Sequence, residues 1–571
     1  MRRHVLVIAS LLGLVHVVVP AQTTPKLVVI LVVDQMRADY LKTFARHWQA
    51  GFRTLLTEGA VFDNANYAHF LTVTCAGHST ISTGTFPRTH GMISNGWWQR
   101  DTRTSPECTA DAKVPAVSYG ANVTTGSSPA RLLAPTIADE LRAQKPGARV
   151  VAISLKSRGA ITLAGQAADA IVWFEDAAAT FATSKAYAEA PVPAVKRYLD
   201  ANPYQRDFGK AWTLLAAPDT YVYRDAGVGE RPPGGWTGLF PHVIQTPTPP
   251  PPPAPAAGRG REGGAAAPTG QAAPAAPRVT PPPVVTAAQA AANWQASPYA
   301  DRYMARMAIA LAESFQLGRR DTTDFLSISF SVLDDVGHAY GPESREVEDI
   351  LRQLDVTLGE LIAALDTQVG RGNYVLGFSA DHGVAPFVGH GRGGRVHSED
   401  IRDRIEETLT TAFGALQKGT YVDNATSGSV YFAPGVFDKL KAAPAVMASM
   451  EQAIRELPGV AQVLRTDQLS ATSRDPIVRA AALSHHPERG GELFVVPREQ
   501  WMIAARATQA ANHGTPYRYD TNVPLIFLGG GIKPVRSAAA VTPADLAPTL
   551  AQLAGLKLPK AEGRALRDVR R

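Results

Sequence analysis

The stretch that decides the fold is residues 26–34, which read KLVVILVVD. Seven consecutive apolar residues, beginning at Leu27, lead directly to Asp34. A strand that is apolar on both faces is typical of the middle of a parallel sheet, because helices cover both faces of such a sheet. The run therefore predicts a buried central strand that ends at a carboxylate.

The same pattern recurs along the chain. Further apolar runs that predict strands lie at 149–155, 324–333, 374–380 and 523–528. Apolar residues at helical spacing lie between these runs, at 135–144, 348–365 and 401–413. Strands that alternate with helices predict an α/β fold with a mostly parallel central sheet flanked by helices. Near the end of the chain, Thr542 and Pro543 predict the start of one more helix.

Composition excludes several classes of protein. Of the 571 residues, 45% are hydrophobic, and the net charge is only +6. Because no long run of Lys or Arg occurs, the sequence does not predict a nucleic-acid-binding surface. The two cysteines, Cys75 and Cys108, exclude a disulfide-rich scaffold and a Cys-based metal site. Their spacing leaves one disulfide and two free thiols equally open.

Two segments lie outside the predicted core. Residues 1–21 combine two arginines, an apolar run and a small-residue site after Ala21, which predicts a secretory signal peptide. The alternative, a membrane anchor, needs ~20 apolar residues and the run is shorter. Residues 247–283 are mostly Pro, Ala, Gly and Thr, which predicts a disordered insert within one catalytic domain at 22–571. We therefore expect a periplasmic or secreted protein without a membrane span after cleavage.

Polar side chains follow the predicted strands at the point where each strand ends. Asp34, Lys156 and Asp334 occupy such positions, and Asp381 and His382 follow a fourth strand. In open α/β sheets, ligands bind outside the carboxyl ends of the strands. A single such residue can be a helix cap, but the repeated placement indicates a functional site.

Aspartate and histidine residues also occur at spacings that suit metal binding. Asp334 and His338 lie one helical turn apart, Asp381 and His382 are adjacent, and His513 precedes the last predicted strand. A mixture of Asp and His favours Zn²⁺ over Mg²⁺ or Ca²⁺, and six ligands without Cys predict two zinc ions per chain. The other histidines considered as ligands, without support from a strand end, are His390, His397, His485 and His486.

Two zinc ions suit phosphoryl transfer, which also needs a nucleophile. Residues 72–84 read TVTCAGHSTISTG, and Thr74 precedes a stretch of small residues that predicts a helix start. Backbone N–H groups and the helix dipole stabilise negative charge at this position. Thr74 is therefore the predicted nucleophile. The alternatives are a plain N-cap role for Thr74, and Cys75, Ser79 or Thr80 as weaker nucleophile candidates.

Seven short motifs together resemble the alkaline phosphatase superfamily, and within it the phosphate-irrepressible alkaline phosphatases that use a threonine nucleophile. The motifs, in chain order, are VVDQMR at 32–37, TCAGH at 74–78, GMISN at 91–95, SLKSRGA at 154–160, DDVGH at 334–338, SADHG at 379–383 and HGTPY at 513–517. The chain departs from the usual pattern at residues 75–77, where Gly-Pro-Gly is common, and at Asp335, where an aromatic residue is often found.

The resemblance implies a role for each matching residue. One zinc would be held by Asp34, Asp381 and His382 together with Thr74. The other zinc would be held by Asp334, His338 and His513. The phosphoryl oxygens would be bound by Asn95, Lys156 and Arg158.

The function expected from these observations is an exported zinc-dependent phosphomonoesterase that acts on small phosphate monoesters through a phosphothreonine intermediate. The alternative is a phosphodiesterase or nucleotide pyrophosphatase of the same superfamily. Such enzymes share the metal set and the threonine but lack the cation pair formed here by Lys156 and Arg158. A non-catalytic binding protein is disfavoured because the nucleophile and ligands are complete.

Overall fold

The structure is a computed structural model that describes residues 24–225, 227, 229–249, 284–387, 393–505 and 509–570. The predicted signal peptide at 1–21, most of the predicted insert at 247–283, and His390 lie outside the described residues.

Fourteen strands of the described residues form two sheets that matter for the site. In chain order they are β1 (Leu27–Val33), β2 (Ala60–Phe62), β3 (Ala116–Ser118), β4 (Val150–Ser154), β5 (Ala170–Glu175), β6 (Thr180–Ser184), β7 (Asp324–Phe330), β8 (Tyr374–Ser379), β9 (Val422–Thr426), β10 (Ser429–Phe432), β11 (Val460–Arg465), β12 (Leu493–Pro497), β13 (Leu525–Gly529) and β14 (Val535–Ser537). The larger sheet has ten strands in the order β14-β2-β13-β8-β1-β7-β4-β5-β6-β3.

Helices cover both faces of this sheet. The helices used below are α1 (Thr74–Thr83), α2 (Ile137–Gln144), α3 (Ser157–Ala164), α4 (Pro298–Ser314), α5 (Val332–Tyr340), α6 (Arg345–Gln368), α7 (Ser398–Phe413), α8 (Pro444–Arg455) and α9 (Leu546–Leu553). The helices predicted at 135–144, 348–365 and 401–413 correspond to α2, α6 and α7. The predicted C-terminal helix begins as a single 3₁₀ turn at Pro543–Asp545 and continues as α9.

Strand β1 lies at the centre of the sheet and is completely buried. Its alternate residues belong to two different apolar clusters, one on each face of the sheet. One cluster includes residues of α4 and α6, and the other includes residues of α2, α3 and α9. The two-sided burial explains the unbroken apolar run, because neither face of β1 meets water.

The middle of the sheet, from β8 to β5, is parallel, whereas the pairs towards its two margins are antiparallel except for the outermost pair of β2 with β14. Strand β1 pairs in parallel with β7 and β8, and β4 extends this parallel set on the other side of β7. The strand predicted at 523–528 is present as β13, but it runs antiparallel to β8. In this sheet the parallel strands and the antiparallel strand β13 are both covered by other residues on both faces. The apolar pattern therefore does not show whether a strand runs parallel or antiparallel to its neighbour. The parallel strands place their carboxyl ends at one edge.

A smaller antiparallel sheet, in the order β9-β10-β12-β11, was not predicted from the sequence. It packs with α7 and α8 around an apolar cluster of its own, which includes Ile405, Met450 and Val495. Among the described residues, no helix combines the length and the apolar character that crossing a membrane requires.

Cys75 and Cys108 form a disulfide, which the sequence had left open. Cys75 is the second residue of α1, and both cysteines pack in a buried cluster with Met92 and Trp97. The backbone N–H of Cys108 donates to the carbonyl of Asn95 at 2.8 Å. The disulfide therefore ties the loop that carries Asn95 to the first turn of α1.

Loss of this disulfide is expected to lower stability. A crosslink across 33 residues restricts the unfolded chain, and the stabilisation is about 3–4 kcal/mol in the chain-entropy treatment. Denaturant unfolding with and without reductant should therefore show a lower midpoint in the reduced protein. The Cys75→Ala/Cys108→Ala variant serves as the control, because its midpoint should not respond to reductant. An unchanged midpoint in wild-type protein whose two thiols have titrated would contradict this expectation.

Candidate active site

The sequence-predicted aspartates converge at the carboxyl edge of the parallel strands. Asp34 directly follows β1, Asp381 lies two residues after β8, and Asp334 lies in the first turn of α5. All three side chains are buried. Helix α5 also presents His338 on the same face as Asp334, because residues four apart lie one above the other on a helix.

Asp34, Asp381 and His382 form one group of possible metal ligands. One ligand atom from each lies within 4.8 Å of the other two. Asp34 Oδ1 lies 3.3 Å from His382 Nε2, and Asp381 Oδ2 lies 3.4 Å from it. These three atoms are buried and have no hydrogen-bond partner among the described residues. A divalent cation would satisfy all three, so the donor set fits a metal.

Asp334 is the centre of a second group. His338 Nε2 lies 3.2 Å and His513 Nε2 lies 3.7 Å from Asp334 Oδ1, so the structure brings these three residues together. The donors that lie within 4.8 Å of one another, however, are those of Asp334, His382 and His513. The rings of His382 and His513 stack with centroids 3.6 Å apart, which brings His382 close to both groups.

The three histidines share one hydrogen-bonding arrangement. Nδ1 of His338, His382 and His513 lies 2.8–2.9 Å from a backbone carbonyl, of Ala511, Gly383 and Thr72 respectively. Because a carbonyl only accepts, Nδ1 must carry the proton in each ring. In a neutral ring the Nε2 lone pair is then free to bind a metal.

Lys156 lies between the two groups. Its Nζ donates to Asp34 Oδ2 at 2.7 Å and also to Asp334 Oδ2. Burial lowers the pKa of Lys156, but Asp334 and Asp34 raise it more, so the group is charged. Burial and the Asp34 carboxylate raise the pKa of Asp381 well above its usual range. Lys156 thus contacts Asp34 and Asp334, while Asp381 lies beside Asp34, and this clustering of buried carboxylates favours cationic ligands.

The predicted nucleophile and phosphate-binding residues line one cavity of about 600 Å³ together with Asp334, His338 and His513. The predicted residues there are Thr74, Asn95, Lys156 and Arg158. Thr74 is the first residue of α1 and the N-cap position is Val73, so Thr74 is not a plain N-cap. Asn95 Oδ1 accepts the N–H of Cys75 at 2.9 Å, which leaves the Asn95 amide nitrogen to donate elsewhere.

Several residues at the site received no role from the sequence. Gln35 donates to Asp381 Oδ1 through its backbone and to Asp334 Oδ1 through its side chain. His78 Nδ1 lies 3.2 Å from Asp381 Oδ2. Glu107 Oε1 accepts from Arg158 at 3.1 Å. Gln35 and His78 stand inside motifs that resemble the superfamily, so their position was a signal. No sequence pattern pointed to Glu107, which lies in a loop.

Of the competing histidines, His397, His485 and His486 belong to neither group of convergent donors in the described part of the chain. Asp335 lines the cavity and its Oδ1 lies 3.8 Å from Lys156 Nζ, which places its extra charge beside the predicted phosphate-binding lysine.

Convergent Asp and His donors at the carboxyl edge of a mixed α/β sheet place the chain in the alkaline phosphatase superfamily, as the motifs indicated. More narrowly, the chain belongs to the type I phosphodiesterase / nucleotide pyrophosphatase family, whose model matches residues 28–518.

Named relatives match nearly the whole chain. Alkaline phosphatase PafA of Elizabethkingia meningoseptica is 29% identical, over 99% of this chain and 98% of the relative. Alkaline phosphatase PhoK of Sphingomonas sp is 29% identical, over 96% of this chain and 91% of the relative. The crystal structure of wild-type PafA superimposes with a TM-score of 0.82 at 28% identity, covering 96% of this chain and 99% of that chain.

Proposed function

We propose that the chain is a zinc-dependent phosphomonoesterase that hydrolyses small phosphate monoesters through a phosphothreonine intermediate on Thr74. The observation that carries the proposal is the placement of Lys156 and Arg158 in the cavity with Thr74 and the Asp334 group. A monoester dianion has three non-bridging oxygens, and its charge must be met by fixed cations. Similarity to relatives named alkaline phosphatases supports the same function.

Two zinc ions per chain are part of the proposal. Asp34, Asp381 and His382 would hold one ion, with Thr74 beside them, and Asp334, His338 and His513 would hold the other. Imidazole and carboxylate donors without thiolate favour zinc over the oxygen-loving cations. Bound zinc supplies Lewis acidity and lowers the pKa of a coordinated hydroxyl or water.

The chain's own residues position the substrate. Thr74 begins α1, where the helix dipole favours the negative charge that develops on its oxygen and on the phosphoryl group. Asn95 is oriented by its bond from the Cys75 N–H, so its amide nitrogen can donate to a phosphoryl oxygen. Arg158 can donate to two oxygens at once, although Glu107 shares its guanidinium in the free protein.

A phosphodiesterase remains the second candidate, because the family takes its name from that activity. A diester carries one negative charge fewer at the position of Lys156 and Arg158. The two candidates therefore differ in how strongly catalysis depends on this pair.

We also propose that the chain is exported with its signal peptide removed after Ala21. The Cys75–Cys108 disulfide supports this proposal, since structural disulfides persist in oxidising compartments and are rare in the cytosol.

Metal analysis tests the zinc assignment. Purified protein should contain about two zinc ions per chain, and a chelator should abolish activity that Zn²⁺ restores. His338→Ala and His513→Ala should each lose about one ion and most of the turnover. His485→Ala is the matched control, because His485 lies outside both donor groups. Protein that is active while holding only Ca²⁺ or Mg²⁺ would overturn the assignment.

Thr74→Ala should reduce kcat by several orders of magnitude while phosphate still binds, because only the attacking oxygen is lost. Thr74→Ser should retain substantial activity, since the hydroxyl survives. Acid quenching during turnover, followed by digestion and mass spectrometry, should find the phosphoryl group on Thr74. A phosphoryl group on Ser79 or Thr80 would move the nucleophile to that residue.

The cation pair decides between the two candidate activities. Removal of one charge-assisted hydrogen bond costs ~1.5–3 kcal/mol, roughly ten- to a hundred-fold in rate. Lys156→Ala/Arg158→Ala should therefore lower kcat/KM for an aryl phosphate monoester by about 10²–10⁴, and should affect the methyl diester much less. The single variant Arg158→Ala leaves the contacts of Lys156 with Asp34 and Asp334 in place. It therefore tests the loss of one phosphate-binding cation without removing those contacts.

Arg302→Ala, which breaks an exposed pair with Glu360, is the surface control and should leave both activities near wild type. Preference of the wild type for the diester, or equal loss of both activities in the double variant, would assign the protein as a phosphodiesterase.

A further inference from the structure

Gln35 adopts a backbone conformation that residues with a side chain rarely take. It directly follows Asp34 at the end of β1, and its φ is +67°, in the left-handed region. A Cβ atom is disfavoured there, and glycine is the usual occupant. Gln35 is also almost completely buried, at 1% exposure. A strained, buried, polar residue beside a metal ligand is an outlier that calls for a functional reason.

The contacts of Gln35 supply that reason. Its backbone N–H donates to Asp381 Oδ1 at 3.1 Å, and its side-chain Nε2 donates to Asp334 Oδ1 at 2.6 Å. Because a carboxylate only accepts, the amide nitrogen must face Asp334. One residue thus holds a ligand from each of the two donor groups.

The bond to Asp381 selects the oxygen that remains for a metal. Asp381 Oδ1 accepts both from Gln35 N–H and from His382 N–H at 3.0 Å. Oδ2 is then the oxygen that faces His382 Nε2 and has no hydrogen-bond partner among the described residues. Gln35 therefore makes both contacts, through its N–H to Asp381 and through its side chain to Asp334, from a left-handed backbone conformation.

Helix α5 leaves room for the amide of Gln35. Gly337 lies between the ligands Asp334 and His338, and a Cβ built on it would lie 1.8 Å from Gln35 Oε1. The three nearest atoms to that Cβ, at 1.8, 3.0 and 3.7 Å, all belong to Gln35. Only a residue without a side chain at position 337 leaves space for the Gln35 amide in this position.

We propose that Gln35 is a positioning residue that sets the relation between the two metal groups, with its backbone holding Asp381 and its side chain holding Asp334 against Gly337. This inference rests on the proposed two-metal function. It predicts that loss of the amide weakens the Asp334 group selectively, because the backbone bond to Asp381 survives any substitution at residue 35 that preserves the turn.

The experiment compares Gln35→Gly, Gly337→Ala and the double variant by competitive chelator titration with Zn²⁺. In Gln35→Gly the zinc of the Asp334 group should bind about 10–100-fold less tightly, as expected for loss of a partner of a ligand. The other zinc should stay within about threefold. Thermal unfolding of the metal-free protein measures global stability separately, because the relief of φ +67° by glycine opposes the loss of the buried hydrogen bond to Asp334.

Gly337→Ala should produce the same selective loss, because the new methyl group displaces the Gln35 amide. In the double variant the alanine should cause no further loss, since the clashing atoms are gone, so the two changes should be strongly non-additive. Gly372→Ala is the matched control, because a Cβ there meets nothing within 4 Å.

Wild-type affinity for both zinc ions in Gln35→Gly, equal weakening of both ions, or additive effects in the double variant would each overturn the role of Gln35. Failure of the proposed function has a different signature, since the wild type itself would then bind fewer than two zinc ions or leave monoesters unhydrolysed. If Gln35→Gly fails to fold, Gly337→Ala alone decides, because unaltered zinc binding in that variant contradicts the inference.

Discussion

The burial of three neighbouring aspartates, two of which contact one lysine, is the constraint on which the site depends. Asp34, Asp334 and Asp381 are removed from water at the carboxyl edge of the sheet, and Lys156 neutralises only part of their charge. Carboxylates in this environment are costly unless cations or hydrogen-bond donors surround them. The protein supplies donors from the backbone of residues 35 and 382 and from the side chain of Gln35, and the remaining oxygens face one another. Divalent cations that bind the remaining oxygens would neutralise their charge and stabilise this arrangement.

Hydrogen bonds of the histidine rings connect the buried aspartates to the surrounding loops. His513 Nδ1 donates to the carbonyl of Thr72, and Thr72 Oγ1 donates at 3.0 Å to the carbonyl of Thr515. The loop that carries His513 and the segment that leads into Thr74 are therefore fastened to each other. A metal held by His513 would thus stabilise the approach to α1, and the disulfide of Cys75 stabilises the same turn from the other side. With a metal bound as proposed, these bonds would couple the metal to the position of Thr74.

The sequence predicted the centre of the fold well and its margins less well. Buried strands such as β1 and β8 carry apolar runs, and their polar end residues indicated where the candidate site lies. Direction was not encoded, as β13 shows, and the smaller sheet escaped notice because strands such as β11 are half exposed and lack a clear period. The disulfide and the bridging role of Gln35 depend on residues brought together from distant parts of the chain. The spacing of residues along the sequence does not show which distant residues lie close together in the fold.

Carboxylates in the cavity limit how tightly Lys156 and Arg158 could bind an anion. Glu107 pairs with Arg158, and Asp335 lies near Lys156, so each cation already has a carboxylate neighbour in the free protein. A phosphoryl group bound as proposed would gain only the difference between its own contacts and those it replaces. A dianion gains more from this exchange than a monoanion, because the Coulomb energy scales with the charge brought to the same place. At a site of the proposed kind, the carboxylates would therefore lower the affinity for every anion while preserving the preference for the more highly charged one.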